Sequence, residues 1–278
     1  MSKTGYAIEQ QKIVQALKIA PSFDAKTEIA NRVAFLCDQL IRHQRRSLVL
    51  GISGGVDSLT SGLLAQAAVQ QARAQGHDAT FIAMRLPYGT QADEADAQHC
   101  ISAMQPDRVL TVNIKPATDA MMDALADSGA TFDTPAQEDF IRGNIKARQR
   151  MIAQYAVAGT TQGLVIGTDH AAEALMGFFT KHGDGACDIT PLTALNKRRV
   201  RALATAFGAP EALVYKTPTA DLESLTPQKP DEASFGVTYD EIDDFLEGRC
   251  VSDRVYEVIF KQYRLTGHKR LLPVDPFV

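Results

Sequence analysis

The sequence predicts an α/β fold, a parallel β-sheet with helices on both faces, and three observations carry that prediction. Apolar runs of strand length alternate with segments of helical period from Leu48 to Glu173. The stretch Leu48-Val49-Leu50-Gly51-Ile52-Ser53-Gly54-Gly55-Val56-Asp57-Ser58 joins a buried strand to a helix through a tight glycine loop. Polar residues gather where the strands stop, at Ser53, at Arg85 and from Thr168 to Glu173, and open parallel sheets place their ligands at those carboxyl ends.

Taken in order, Tyr6 to Leu17 has helical periodicity at Ile8, Ile13, Val14 and Leu17, and Pro21 and Ser22 interrupt it. A second helix carries Ile29, Val33, Leu36, Cys37, Leu40 and Ile41 on one stripe, with Asp24 or Thr27 as its cap. After the Ser53 loop, Leu59 to Ala74 is helical, Thr80 to Leu86 is a strand and Asp93 to Met104 a helix. Arg108 to Ile114 reads as a third strand, Ala117 to Ala126 as a helix and 127–138 as a loop. Phe140 to Ala158 is a helix with a basic side of Arg142, Lys146, Arg148 and Arg150, a run that by itself reads as a solvated face. Leu164-Val165-Ile166 is the fourth strand, and Asn196 to Phe207 another basic helix. The Pro-, Asp- and Glu-rich stretch up to Glu232 lacks core-forming residues and reads as a mobile loop. Helices over Tyr239 to Leu246 and Val251 to Tyr263 follow.

Composition excludes several classes. With 278 residues the chain can bury a sizeable core as one large domain. A net charge of −4 points to neither a nucleic-acid nor a membrane surface. No apolar run approaches the roughly 18 residues of a membrane span. The first residues are polar and mixed in charge, unlike a secretory signal. Cys37, Cys100, Cys187 and Cys250 are scattered without a C-x-x-C, which argues against a disulfide framework or a zinc knuckle. Cytoplasm is the expected compartment.

The glycine loop carries the first chemistry. Its glycines let the backbone approach a ligand without Cβ interference, and the helix behind it offers unpaired N–H groups and a partial positive charge. Together these make an anion site for phosphate. No Lys follows the glycines, so this is not a Walker A loop. A carboxylate beside a phosphate repels it unless a cation lies between, so Asp57 reads as a Mg²⁺ ligand. The plainer alternative is an ordinary βα turn with an acidic residue at a helix start. The whole S-G-G-V-D-S after a strand resembles the pyrophosphate-binding loop of the ATP-pyrophosphatase family, which cleaves ATP to AMP and pyrophosphate.

Further along, G-T-D-H-A-A-E-A (167–174), F-F-T-K-H-G-D-G (178–185), T-P-T-A-D-L (217–222), S-F-G-V-T-Y-D-E-I-D-D-F-L-E-G (234–248) and G-H-K-R (267–270) resemble the ammonia-dependent NAD synthetases. R-G-N-I-K-A-R-Q-R-M-I-A-Q-Y (142–155) is similar to the same family. The resemblance runs from about Ile8 to about Pro273. Val56 stands where the family often has Gln or Ile, and the tail after Arg270 departs from the common ending.

The resemblance implies a Rossmann-like sheet of ATP-pyrophosphatase type in a single domain over residues 1–278. A helical N-terminal segment would run to about 46, a nucleotide-binding core over 47–215, and a mobile loop with C-terminal helices over 216–278. It implies amidation of deamido-NAD to NAD with ATP and ammonia through an acyl-adenylate, with Mg²⁺ on Asp57 and Glu173. Gly51, Ile52, Ser53, Gly54, Gly55, Val56, Asp57 and Ser58 would hold ATP, with Arg85, Gln91, Thr168, Lys197 and Thr219. Lys197 would stabilise charge near the α-phosphate, so Asp57 and Lys197 are the expected catalytic pair. Arg148, Lys181, Asp188, His268 and Lys269 resemble the deamido-NAD contacts. The family works as a homodimer with the deamido-NAD site near the subunit interface, and the helix from Phe140 to Ala158 is expected to help form that interface. Loops at 86–95 and 219–235 are expected to order over the substrates.

A glutamine-using enzyme needs an amidase domain on the order of 100–250 residues, for which this chain leaves no room, so free ammonia is the expected donor unless a separate subunit delivers it. Two other readings stand beside this one. Another ATP pyrophosphatase, such as a GMP synthetase core or a tRNA-thiolating enzyme, would share the Ser53 loop, but thiolation normally wants paired cysteines and tRNA a basic surface. A non-catalytic nucleotide binder would have no need of Asp57, Glu173 and Lys197 together.

Overall fold

The computed structural model describes residues 3–89, 94–220, 222–271, 273 and 276. Helices α1 (Lys3–Ala16) and α2 (Ala25–Arg42) precede strand β1 (Ser47–Gly51). Asp24 caps α2 by accepting from Thr27 N at 2.8 Å, and the apolar stripe buries Val33, Leu36, Cys37 and Leu40. The chain continues through α3 (Val56–Ala74), β2 (Thr80–Arg85), α4 (Glu94–Met104), β3 (Arg108–Thr111), α5 (Lys115–Asp127), α6 (Pro135–Thr161) and β4 (Gly163–Val165). Then come α7 (Ala171–Met176), α8 (Lys197–Ala206), α9 (Glu211–Val214), β5 (Thr219–Ala220), β6 (Lys229–Pro230), α10 (Asp231–Phe235), α11 (Tyr239–Leu246), α12 (Asp253–Leu265) and α13 (Gly267–Arg270).

The main sheet is parallel, in the order β3-β2-β1-β4. Leu48 of β1 stands in register with Phe81 of β2 and Leu164 of β4. Alternation along β1 sends Leu48 and Leu50 into a core with α2, α3, α4 and α8, and Val49 into a second core with Val165 and Ala158 of α6. A third apolar cluster joins Tyr6 of α1 to α7, α11 and α12. The chain winds outward from β1 to β3, then α5 and α6 carry it back to the far side of β1. The strand order therefore reverses between β1 and β4, and the carboxyl ends of those two strands flank the switch point where such sheets hold ligands.

Several boundaries differ from the sequence reading: β3 stops at Thr111, short of Ile114, and α6 runs on to Thr161, and three further differences bear on the site. Helix α3 starts at Val56, so Asp57 and Ser58 sit in its first turn rather than in the loop. Helix α6 starts at Pro135, because Thr134 accepts from Gln137 N at 3.1 Å and proline suits the first helical position; the loop expected over 127–138 ends there. The stretch expected as a bare loop before Glu232 contains the antiparallel pair of β5 and β6 and the start of α10. Among the described residues no helix is long and apolar enough to cross a membrane.

Candidate active site

A cavity of about 390 Å³ opens at the carboxyl ends of β1 and β4. Its floor is the glycine loop: Gly51, Ile52, Ser53, Gly55, Val56, Asp57 and Ser58 all line it. Gly54 turns beneath them with φ of 80°, where a Cβ would stand 3.0 Å from the backbone nitrogen of Ala97; a side chain there meets both a strained backbone and α4. Gly55 N donates to Ser53 Oγ at 3.3 Å, and Ser58 Oγ donates to Gly55 O at 3.0 Å. Among the described residues no side chain caps α3, so its first N–H groups are available to an anion.

Beside this loop four charged or polar side chains converge from three helices and a strand end. Lys197 Nζ donates to Asp57 Oδ2 at 2.7 Å. His170 Nε2 lies 3.4 Å from Asp57 Oδ1, 3.7 Å from Glu173 Oε2 and 3.5 Å from Lys197 Nζ. Lys197 is only 1% exposed, and its ammonium also stands 4.8 Å above the Tyr239 ring. The start of α8 is pinned from two sides. Asn196 accepts from Arg199 N at 2.9 Å, and Asp243 of α11 accepts from Lys197 N at 3.0 Å and Arg198 N at 2.7 Å.

Three carboxyls, Asp57, Asp169 and Glu173, crowd this point. Burial pushes the Asp57 carboxyl up, but Lys197 and His170 outweigh it and hold Asp57 below its ordinary range. Burial, then Asp57 and Asp169, push Glu173 well above the usual carboxylate value. Burial, then Asp184 and Asp57, raise Asp169 to about 8. His170 falls to about 3 because burial disfavours the imidazolium, so the ring is neutral. Among the described residues Asp57 Oδ1 and Glu173 Oε2 are buried without hydrogen-bond partners. One ligand atom from each of Asp57, His170 and Glu173 falls within 4.8 Å of the others. Two orphaned carboxylate oxygens side by side fit a hard divalent cation such as Mg²⁺, which would let both carboxyls ionise.

The other residues expected from sequence are distributed unevenly. Thr168, Glu173, Lys197, Thr219 and Lys269 line the same cavity. Arg85 is 2% exposed and held by both oxygens of Glu94 at the start of α4; it does not line the cavity. Gln91 lies outside the described residues. Lys269 Nζ donates to the carbonyls of Gly177 and Phe179, both at 2.9 Å. Lys181 Nζ donates to His268 O at 2.9 Å, and Arg148 Nη2 to Lys181 O at 3.2 Å, which links Arg148, Lys181 and His268 to one another outside the cavity lining. Asp188 accepts from Val165 N at 2.7 Å and from Tyr155 Oη at 3.3 Å.

Sequence reasoning passed over His170, although it sits between Thr168 and Glu173 in the same strand-end turn. It also passed over Gln154, whose Oε1 accepts from Gly51 N at 2.8 Å and whose carboxamide occupies the space next to Gly51. Nothing in the pattern of α6 marks that residue. Phe178, Phe179, Asp184 and Asp231 line the cavity as well; three of them lie inside the stretch from Phe178 to Gly185 quoted above.

Known proteins resemble this chain over nearly its whole length. Residues 28–273 match the sequence profile of the NAD synthase family. The chain is 61% identical to the NH₃-dependent NAD⁺ synthetase of Streptomyces coelicolor, over 99% of its own length and 100% of the relative's. The crystal structure of an NAD⁺ synthetase from Burkholderia pseudomallei superposes with a TM-score of 0.84 at 55% identity, covering 96% of this chain and 98% of that one. An NMN synthetase from Francisella tularensis superposes with a TM-score of 0.79 at 35% identity, covering 92% and 99%.

Proposed function

The chain belongs to the NAD synthase family, and from that premise we propose that it converts deamido-NAD to NAD with ATP and ammonia. The observation that carries the reading is the cluster of Asp57, Lys197, His170 and Glu173 beside the uncapped start of α3.

A pyridine carboxylate is a poor acyl donor and must be activated. Its oxygen attacks the α-phosphorus of ATP, the bond to the β-phosphate breaks, and pyrophosphate leaves. Ammonia then attacks the acyl carbon, the bond to the AMP oxygen breaks, and the amide forms with loss of a proton. The first step brings one anion onto another, so neutralising charge is the main task. The loop from Gly51 to Ser58 offers N–H and hydroxyl donors to the β- and γ-phosphates. Lys197, rigidly placed, supplies a positive charge near the α-phosphate. Asp57 and Glu173 would hold Mg²⁺, which screens the phosphate charges. Thr168, Thr219 and Gln91 are assigned to the nucleotide, and Arg85 would join them only by exchanging its Glu94 partner, since it lies outside the cavity lining. Arg148, Lys181, Asp188, His268 and Lys269 are assigned to deamido-NAD.

Two copies of the chain would join through α6. Phe140 and Ile152 on that helix are 57% and 52% exposed, and Met121 on neighbouring α5 is 46% exposed, a surface that invites burial. A monomer at micromolar concentration in sedimentation would count against this pairing. Cys37, Cys187 and Cys250 carry free thiols, in keeping with a reducing compartment such as the cytoplasm.

The test is pyrophosphate release from ATP and Mg²⁺, with and without deamido-NAD, for the natural chain and Asp57→Asn. Release should require deamido-NAD, fall on the order of a hundredfold or more in the variant, and yield NAD once ammonium is added. Nicotinate mononucleotide serves as the competing acceptor, since a structural neighbour is an NMN synthetase. Preference for the mononucleotide, or strict dependence on an added protein for ammonium-driven turnover, would overturn the reading.

A further inference from the structure

Three residues on one face of α6 do something the sequence pattern hides. Asp139, Gly143 and Lys146 are spaced four and three apart, so they stack along a single side of the helix. All three are buried, and Asp139 and Lys146 are 7% and 4% exposed. Buried charges are tolerated only when they are partnered, and here the partners lie in one short segment of chain. Asp139 Oδ1 accepts from Ser224 N at 2.9 Å, and its Oδ2 accepts from Leu225 N at 2.7 Å. Lys146 Nζ donates to Leu222 O and to Ser224 Oγ, both at 2.9 Å. Between them, a Cβ on Gly143 would stand 3.2 Å from Leu222 Cβ and 3.2 Å from Leu222 O, so the segment presses directly on the bare helix backbone.

That segment is the roof of the cavity: Leu222, Glu223 and Thr226 line it, with Thr219 and Asp231 at either side. Its own secondary structure is slight, since β5 and β6 pair over two residues each, and a pairing that short is marginal by itself. Lys146 also stands 4.3 Å from the centre of the Tyr88 ring, on the chain that leaves β2. One ammonium therefore ties two separate loops together.

We propose that this face of α6 is the dock that holds the roof over the reacting groups, with Asp139 and Lys146 as positioning residues for adenylation. The docked roof keeps water from the acyl-adenylate. If it loosens, water attacks the acyl carbon, AMP leaves, and deamido-NAD is regenerated, so ATP is consumed without product. The kinetic part of this proposal rests on the function proposed above; the docking part does not.

The experiment uses the full-length protein with Lys146→Met, Asp139→Ala, Gly143→Ala and the milder Asp139→Asn. Without substrates, a protease selective for bulky apolar residues should cut beside Leu222 and Leu225 at least five times faster in Lys146→Met and Asp139→Ala. In turnover, the ratio of pyrophosphate released to NAD formed should rise from near one to three or more in the same variants, with Asp139→Asn between. A general loss of stability would lower both products together and leave that ratio at one. Gly143→Ala keeps both charged groups and adds a methyl against Leu222, so it reports on the dock even if removal of a buried charge prevents folding. Cleavage and ratio unchanged in folded variants would overturn the proposal. Absence of any deamido-NAD-dependent release in the natural chain would overturn the assigned reaction, while the cleavage rates still decide whether α6 is the dock.

Discussion

The floor and the roof of the same cavity are built by different means. The floor ends a strand hydrogen-bonded on both sides, with Leu48, Val49 and Leu50 buried in two cores. Its loop turns on a glycine, and its helix packs on α2, α4 and α8 through the core. The roof has a two-residue β pair and is otherwise gripped by side chains from α6, 76 to 86 residues away in sequence. A floor fixed by backbone ladders presents the groups proposed to bind phosphate in one geometry. A roof fixed by a few side-chain contacts opens locally while the rest stays folded, as a site that must admit a dinucleotide and then exclude water requires.

The contrast breaks most severely at Lys197. Lys197→Met leaves the Asp57 carboxylate largely buried beside a neutral imidazole and, on the proposed function, removes the positive charge assigned to the α-phosphate. We expect a stability loss of about 3–5 kcal/mol and a fall in pyrophosphate release on the order of a hundred- to a thousandfold. Lys197→Arg should not restore activity, because the space is bounded by Asp57, His170 and Tyr239 and a planar guanidinium does not fit a point-charge site. Adding Mg²⁺ should raise the melting temperature of Lys197→Met more than that of the natural chain, since the cation replaces the lost partner of Asp57. Equal shifts would mean that Asp57 is not a metal ligand.

The floor was legible in the sequence because its causes are local. An apolar run, three glycines and serines at fixed spacing, and an acidic residue just after the glycines lie within a dozen residues, and the alternation of periods placed the strand ends together; only the start of α3, at Val56 rather than Leu59, was read too late. His170 belonged to the same readable turn but was overlooked beside Glu173. The roof was illegible for the converse reason. Lys146 sits in a basic run with Arg142, Arg148 and Arg150, and only its distant partners separate it from Arg148, which is exposed. Asp139 likewise looks like an ordinary acidic residue near a helix start until Ser224 and Leu225 are brought to it. Arg85 shows the intermediate case: its position at a strand end was readable, but its capture by Glu94 was not.

Amide hydrogen exchange sharpens the comparison next. Amides in the β1 ladder should exchange only through near-global opening, whereas those of residues 222–226 should exchange through local opening, a difference of several kcal/mol. Adding ATP with deamido-NAD should slow exchange in 222–226 by tenfold or more and leave β1 little changed. Equal protection of both regions without ligand would show that the roof is as fixed as the floor.

The smallest expected effect concerns how the floor holds Lys197 in place. Asp243 accepts the N–H groups of Lys197 and Arg198, yet burial outweighs both bonds and the nearby Arg198 and lifts its carboxyl to about 6. A carboxyl whose folded value exceeds its unfolded one stabilises the fold fully below the unfolded value, near 4. That contribution is lost as pH rises through about 6. Over that window the natural chain should therefore lose stability relative to Asp243→Asn, which cannot titrate, by on the order of 2–3 kcal/mol. The slope is the readout rather than the level, because the asparagine carbonyl satisfies only one of the two N–H groups and the variant starts lower. Parallel stability curves from pH 4 to 7 would mean that the two backbone donors, and not burial, set the charge of Asp243. The start of α8 would then be anchored by a carboxylate ionised throughout the range in which the site works.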